Sequence, residues 1–446
     1  MASKRSLNAK NLEALGAEAL AVLLIEVSEG NAAIQRRLRL ALAAAEGVQG
    51  AVQEVRKRLT AIDRSSTFVH SQRRKALVSD LEAQLQAISG PIAMGDPEQA
   101  FDLLLRFLEI SDGVLERCPD GTGVVVGVFD RAVQQLGTLG SAIQREPETL
   151  AWQIAELLTQ ASHEQFDGLV PAEKNVLGDW GLNVLGHYCR DRGAGDGNPY
   201  LLQIAEARRD VEGYLAQFTA EELSWRDTST TVGRYLLSCG RAEQALKILN
   251  GAANGVVDLQ DSQWHDTRIA ALDALNRCAE AQELRWEWFS RTLSISHLRD
   301  HLKRLDDFED VNVEEQALQV AEQHPVSLLG LHFLVEWGAL SRAARHVFAH
   351  EDEWEGNADM IHTLAAERLS ADHPLAATLM LRPLVFFALW MGAAKRYRNA
   401  AEHLRNCEQL ADRINDWQGH PDHRAYVERM QDMFGVKPSF WKLMKR

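Results

Sequence analysis

The side chains best suited to chemistry lie in three short basic runs near the N-terminus. They are Arg36, Arg37 and Arg39, then Arg56, Lys57 and Arg58, then Arg73, Arg74 and Lys75. Guanidinium and ammonium groups gathered on neighbouring helices would make one positive face for phosphates or for an acidic protein. The competing reading is a solvated surface that balances an acidic body. Residues 1–80 hold 13 Lys/Arg against 8 Asp/Glu, a net of +5, whereas the rest of the chain holds 35 against 55, a net of −20. Aromatic residues are scarce among these runs, with Phe68 alone nearby. Stacking on single-stranded bases is therefore poorly served.

His297 and His301 form a second constellation, spaced i, i+4 on an expected helix. Two imidazoles on one helical face suit a metal ion. The glutamate that would act as general base beside such a pair is missing, and Leu298, Leu302 and Leu305 describe an ordinary amphipathic helix. His420-Pro421-Asp422-His423 reads as a turn with Asp422 as helix cap. The chain carries no phosphate-binding glycine loop, no G-x-S-x-G and no H-E-x-x-H. Gly121-Thr122-Gly123 and Gly193-Ala194-Gly195 are loop glycines. The expectation is a protein without catalytic residues, cofactor or assigned metal site.

Tryptophan is abundant, with 11 in the chain. Trp286, Trp288, Trp337, Trp354, Trp390, Trp417 and Trp441 all fall in the second half. At helical spacing they are expected in the core, with single exceptions free to anchor a partner peptide. Five cysteines at wide spacings, Cys118, Cys189, Cys239, Cys278 and Cys407, argue for a reducing compartment. The start, Met1-Ala2-Ser3-Lys4-Arg5, lacks the apolar run of a secretory signal, so the cytoplasm is the expected location. The apolar segment from Leu375 to Trp390 is interrupted by Arg382 and Pro383 and is shorter than the ~20 residues of a membrane span. It reads as a buried helix kinked at Pro383.

These residues must be positioned by helices, because helical periodicity runs almost everywhere and strand signals are nearly absent. Leu12, Leu15, Ala19, Val22 and Val27 stripe a first helix ending near Gly30, and Asn31 is placed to cap the next. Val52, Val55, Leu59 and Ile62 line a third helix. Leu77, Leu81, Leu85 and Ile88 line a fourth, expected to stop at Gly90-Pro91. Asp96-Pro97 and Glu146-Pro147 open two more. The run from Asp191 to Pro199 is the clearest linker. The expected organisation is a basic helical region over 1–90, a middle helical region over 91–195, and a helical-repeat region over 196–446.

The repeat reading rests on one recurrence. Gly240-Arg241-Ala242-Glu243-Gln244-Ala245 returns 36 residues later as Asn276-Arg277-Cys278-Ala279-Glu280-Ala281, and after another 36 as Asn312-Val313-Glu314-Glu315-Gln316-Ala317. Looser relatives begin at Gly338 and Lys395. A turn former followed by alanine at the sixth place suits stacked helical hairpins, since alanine lets two helices approach closely. The expected fold is all-α: a tetratricopeptide-like irregular α-solenoid with a basic N-terminal helical region.

The segment Leu7-Asn8-Ala9-Lys10-Asn11-Leu12 resembles the start of an uncharacterised proteobacterial family. So do Arg36-Arg37-Leu38-Arg39, Val55-Arg56-Lys57-Arg58 and Arg73-Arg74-Lys75-Ala76. From His373-Pro374-Leu375 to Phe440-Trp441 the chain is similar to the same family and to the helical tail of some SWIM-type zinc-finger proteins. Their C-x-C…C-x-H zinc site is absent here. The resemblance implies a bacterial helical-repeat protein and transfers no catalytic residue. The expected function is a non-catalytic scaffold or adaptor for protein partners. The alternative is a nucleic-acid-associated regulatory protein that binds through Arg36, Arg37, Arg39, Arg56, Lys57, Arg58, Arg73, Arg74 and Lys75.

Overall fold

A computed structural model describes residues 7–161, 165–191, 199–253, 259–306 and 308–444. Among these residues there are helices and turns and no strand. The chain divides into two compact units, Met1–Glu222 and Leu223–Arg446. Residues 192–198, where the sequence suggests a linker and a boundary, lie outside the described residues.

The core of the first unit follows the apolar periodicities. Val52, Val55, Leu59 and Ile62 are buried on the Val48–Asp63 helix. They meet Phe101, Leu104, Phe107 and Leu108 on Pro97–Glu109, and Phe129, Val133 and Leu136 on Val126–Gly140. The Phe107 and Phe129 rings lie 5.3 Å apart at a tilt, an arrangement their quadrupoles favour. Local signals start these helices. Asp96 accepts a bond from the Gln99 N–H at 3.1 Å, with Pro97 at the first helical position. Asn31 accepts from the N–H groups of Ala33 and Ile34 ahead of the Ala32–Glu46 helix.

Two expectations fail in this unit. The fourth helix, Ser71–Ala87, does not stop at Gly90-Pro91; it runs through a wider π turn, Ile88–Ile92, and on to Gly95. That wider turn carries the chain past a proline with no N–H to donate. The first stripe also breaks at Gly16 into Ala9–Glu13 and Ala17–Ser28, and its apolar residues stay in solvent. Farther on, Gly178 bends the Leu169–Asp191 helix with φ +56° and ψ −175°, a conformation essentially confined to glycine.

The second unit repeats one turn. Gly240, Asn276, Gly338 and Gly392 all take positive φ, between helices Arg226–Ser238 and Ala242–Gly251, Ser262–Ala274 and Cys278–Thr292, Ser327–Trp337 and Leu340–Ala349, and Pro374–Trp390 and Tyr397–Ala411. The next residue then donates its N–H five residues back: Arg241 to Leu236 at 2.8 Å, Arg277 to Leu272 at 2.9 Å, Ala339 to Leu334 at 2.9 Å, and Ala393 to Ala388 at 3.3 Å. These bonds satisfy terminal carbonyls that the helix itself leaves unpaired.

Asn312 is not such a turn. It sits inside the Glu309–Glu322 helix, and the left-handed residue before that helix is Phe308. The motif makes a turn only where a finished helix precedes it and offers carbonyls to cap. The alanine register survives nonetheless: Ala245, Ala281, Ala317 and Ala343 are all fully buried. The Pro374–Trp390 helix buries most of its side chains but leaves Phe386 and Trp390 exposed, and Pro383 lies inside it. Among the described residues no helix is long and apolar enough to cross a membrane. All five cysteines are free thiols.

Candidate functional site

The three basic runs lie on three successive helices of the first unit, Ala32–Glu46, Val48–Asp63 and Ser71–Ala87, which pack on one another. Asp80 joins them. Its carboxylate accepts from Arg58 Nε at 2.9 Å and from Arg58 Nη2, and Arg36 Nη2 lies 3.6 Å away. Asp80 is almost buried, so both guanidiniums are tied to a structural anion. Arg74 is engaged too: it donates to the Pro119 carbonyl and, at 3.4 Å, to Thr122 Oγ1, which fixes the loop ahead of Val126–Gly140. The other six basic residues, Arg37, Arg39, Arg56, Lys57, Arg73 and Lys75, are exposed. Lys57 has one loose ion pair, 3.8 Å to Glu54.

Beside them the Ala17–Ser28 helix carries an apolar surface that no described residue covers. Its sequence, Ala-Glu-Ala-Leu-Ala-Val-Leu-Leu-Ile-Glu-Val-Ser, is apolar on nearly every face, yet Ser28 is its one buried residue. Val22, Leu23, Leu24, Ile25 and Val27 are all exposed, Ile25 to 63%. The helix packs on Ala32–Glu46, where Leu42 is exposed as well. Monomeric soluble proteins rarely expose a contiguous apolar run of this density. The available sequence signal was the run from Leu20 to Val27, apolar except for Glu26, since a helix apolar nearly all round needs cover on most sides.

The histidine pair does not converge. His297 uses both ring nitrogens, Nε2 with Asp266 at 2.8 Å and Nδ1 with Ser294 Oγ at 2.8 Å. His301 is buried against the Trp286 ring, and burial lowers its pKa. Among the described residues no group of three or more His, Cys, Asp or Glu side chains is placed to hold a metal ion. Asp422 caps His423–Phe434 by accepting from the Ala425 N–H at 2.8 Å. The tryptophans divide: Trp264, Trp288 and Trp354 are buried, while Trp152, Trp180, Trp225 and Trp390 are exposed.

Sequence reading also missed Arg382. It stands in a strongly apolar helix and is 7% exposed, beside a cavity of about 660 Å³ in the second unit. Its signal was a lone cation within an apolar run.

The fold is thus all-helical over the described residues. The family model of DUF6880, a family of unknown function, matches residues 2–199 and 190–443, and the chain belongs to that family. No curated protein matches it.

Proposed function

We propose that this protein is a non-catalytic helical-repeat scaffold or adaptor that takes hold of a partner protein through its N-terminal head. The observation that carries the reading is the uncovered Ala17–Ser28 helix. Each large aliphatic side chain moved from water into an interface contributes about 1.5–3 kcal/mol at full burial. The exposed Arg37 and Arg39 on the next helix favour a partner whose apolar helix is edged by carboxylates. The second unit supports a tetratricopeptide-like irregular α-solenoid, because the main packing of each of its helices is with the next one or two along the chain. Kinship with a proteobacterial family and with the helical tails of SWIM-type proteins, and a cytoplasmic location, belong to the same reading.

The test is affinity purification from the native host with the wild type and with the double variant Val22→Glu, Ile25→Glu. The expected result is a reproducible partner that the variant loses while its helical circular dichroism is kept. A partner set shared by both proteins removes the proposal, as does the lack of any reproducible partner.

A second reading, binding to nucleic acid, is favoured by the six exposed basic residues. Reversing the charge of Arg56, Lys57, Arg73 and Lys75 spares Arg36, Arg58 and Arg74, which hold structure. Under this reading the reversal weakens salt-sensitive binding to duplex DNA or RNA and flattens its salt dependence. No binding at low salt ends it.

A further inference from the structure

The cavity beside Arg382 lies wholly within the second unit. The Pro374–Trp390 helix supplies Arg382, Phe386, Phe387 and Trp390 to its wall; Trp354 and Met430 face them. At about 660 Å³ it falls in the range of small-molecule sites, and its lining is mainly aromatic and apolar.

Arg382 is the chemical exception in that wall. A guanidinium offers five N–H donors. Among the described residues one is engaged: Nη2 donates to the Pro421 carbonyl at 2.9 Å. Nε is buried with no partner. No carboxylate forms an ion pair with it, although the ring faces of Tyr426 and Trp417 lie 4.4 Å and 5.0 Å from the guanidinium carbon. Cation–π contact returns up to ~2 kcal/mol, whereas a buried charge without a counter-ion costs several kcal/mol. Burial depresses the pKa in keeping with that penalty, yet an arginine stays charged at neutral pH.

Glu351 and Glu355 also line the cavity, and Asp422 is close enough to favour the charged guanidinium, but each has another hydrogen-bond or ion-pair partner. Glu351 pairs with His420 at 3.0 Å, Glu355 accepts from Asn357 Nδ2 at 2.8 Å, and Asp422 caps its helix. Arg429, exposed, is a second cation on the cavity wall. What Arg382 lacks is a carboxylate in direct contact, and the wall beside it is mainly aromatic and apolar.

We propose that this cavity binds a small organic carboxylate with an apolar body, the carboxylate on the Arg382 guanidinium and the alkyl or aryl part against Trp354, Phe386 and Trp390. The reading is independent of the N-terminal head. A charge-assisted contact of this kind discriminates by about tenfold or more against a neutral analogue.

The test uses the full chain with two probes of equal apolar length, decanoate and decan-1-ol, followed by titration calorimetry and by tryptophan fluorescence. Decanoate is expected to bind saturably with one-to-one stoichiometry, at least about tenfold more tightly than decan-1-ol. Arg382→Met is expected to remove that preference. Because Arg382 also braces the loop around Pro421, a second variant guards against loss of fold. Phe386→Glu, at a residue 39% exposed on the wall, is expected to weaken decanoate more than decan-1-ol by like-charge repulsion. Equal affinity for the two probes, no saturable decanoate binding, or unchanged decanoate affinity in folded Phe386→Glu would overturn the proposal.

Discussion

Glu173 carries a carboxyl group with no hydrogen-bond partner among the described residues at either oxygen, fully buried in the first unit. Burial raises its pKa from 4.5 to about 7. Between those values the folded chain holds a proton that the unfolded chain has released. Its contribution to stability is therefore present below about pH 4.5 and lost as the pH rises to about 7. Glu173→Leu should stabilise the protein at pH 8 by on the order of 3 kcal/mol and have little effect at pH 4, as read by chemical denaturation. His265 and His362 in the second unit have the opposite sign. His265 stacks on Trp288 with ring centroids 4.1 Å apart, and both imidazoles are buried with no hydrogen-bond partner among the described residues. Burial lowers each pKa to about 4. Here the unfolded chain takes the proton first, so their contribution is full above about pH 6.5 and is lost as the pH falls to about 4. His362→Leu should flatten that acid limb in the same denaturation series. None of these three residues was distinguishable in sequence, because burial is a property of the residues packed around them.

At the scale of elements, the recurrence separates into two physical devices. Its first residue is a turn only where a helix has just ended, as at Gly240 and Asn276. Its sixth residue is a buried alanine in every copy, the helical Asn312 copy included. Asn276 and Asn312 are both exposed, so their substitution by alanine isolates the backbone. Asn276→Ala forces a Cβ-bearing residue without a local hydrogen-bonding group into the left-handed region and should cost about 1 kcal/mol. Asn312→Ala replaces a weaker helix former and should stabilise by about 0.5 kcal/mol. Thermal denaturation of the two variants should therefore shift in opposite directions. Caps were legible for the same local reason: Asn31, Asp96 and Asp422 bond to N–H groups two or three residues on. The passage through Pro91 was not legible, since the π turn is held by the packing of Ile88 and Ile92 into the core.

At the scale of the molecule, the two units respond to pH through different buried groups, Glu173 in one and His265 with His362 in the other. Hydrogen exchange on the full chain should show the protection of the first unit falling between pH 5 and 7 by way of Glu173, while that of the second rises by way of its histidines. The N-terminal head gives a further check. Because Val22 and Ile25 lie in solvent, Val22→Glu with Ile25→Glu should change global stability by less than about 0.5 kcal/mol in the isolated protein. Leu59→Ala, in the core, should cost about 2–5 kcal/mol. A large loss in the double variant would mean that the helix is part of the core.

The sequence by itself determined the helical class, the helix starts at Asn31, Asp96, Glu146 and Asp422, and the alanine contacts, because each depends on residues a turn or two apart. It placed nine basic residues on three helices and could not sort them. Tertiary structure did that, tying Arg36 and Arg58 to Asp80 and Arg74 to the Pro119 loop, and leaving six in solvent. It also decided that Val22 and Ile25 are exposed, that Glu173 is enclosed, and that Arg382 lies beside a cavity with no described carboxylate in direct contact. Exposure and pairing depend on groups tens of residues away along the chain, so local pattern carries no record of them.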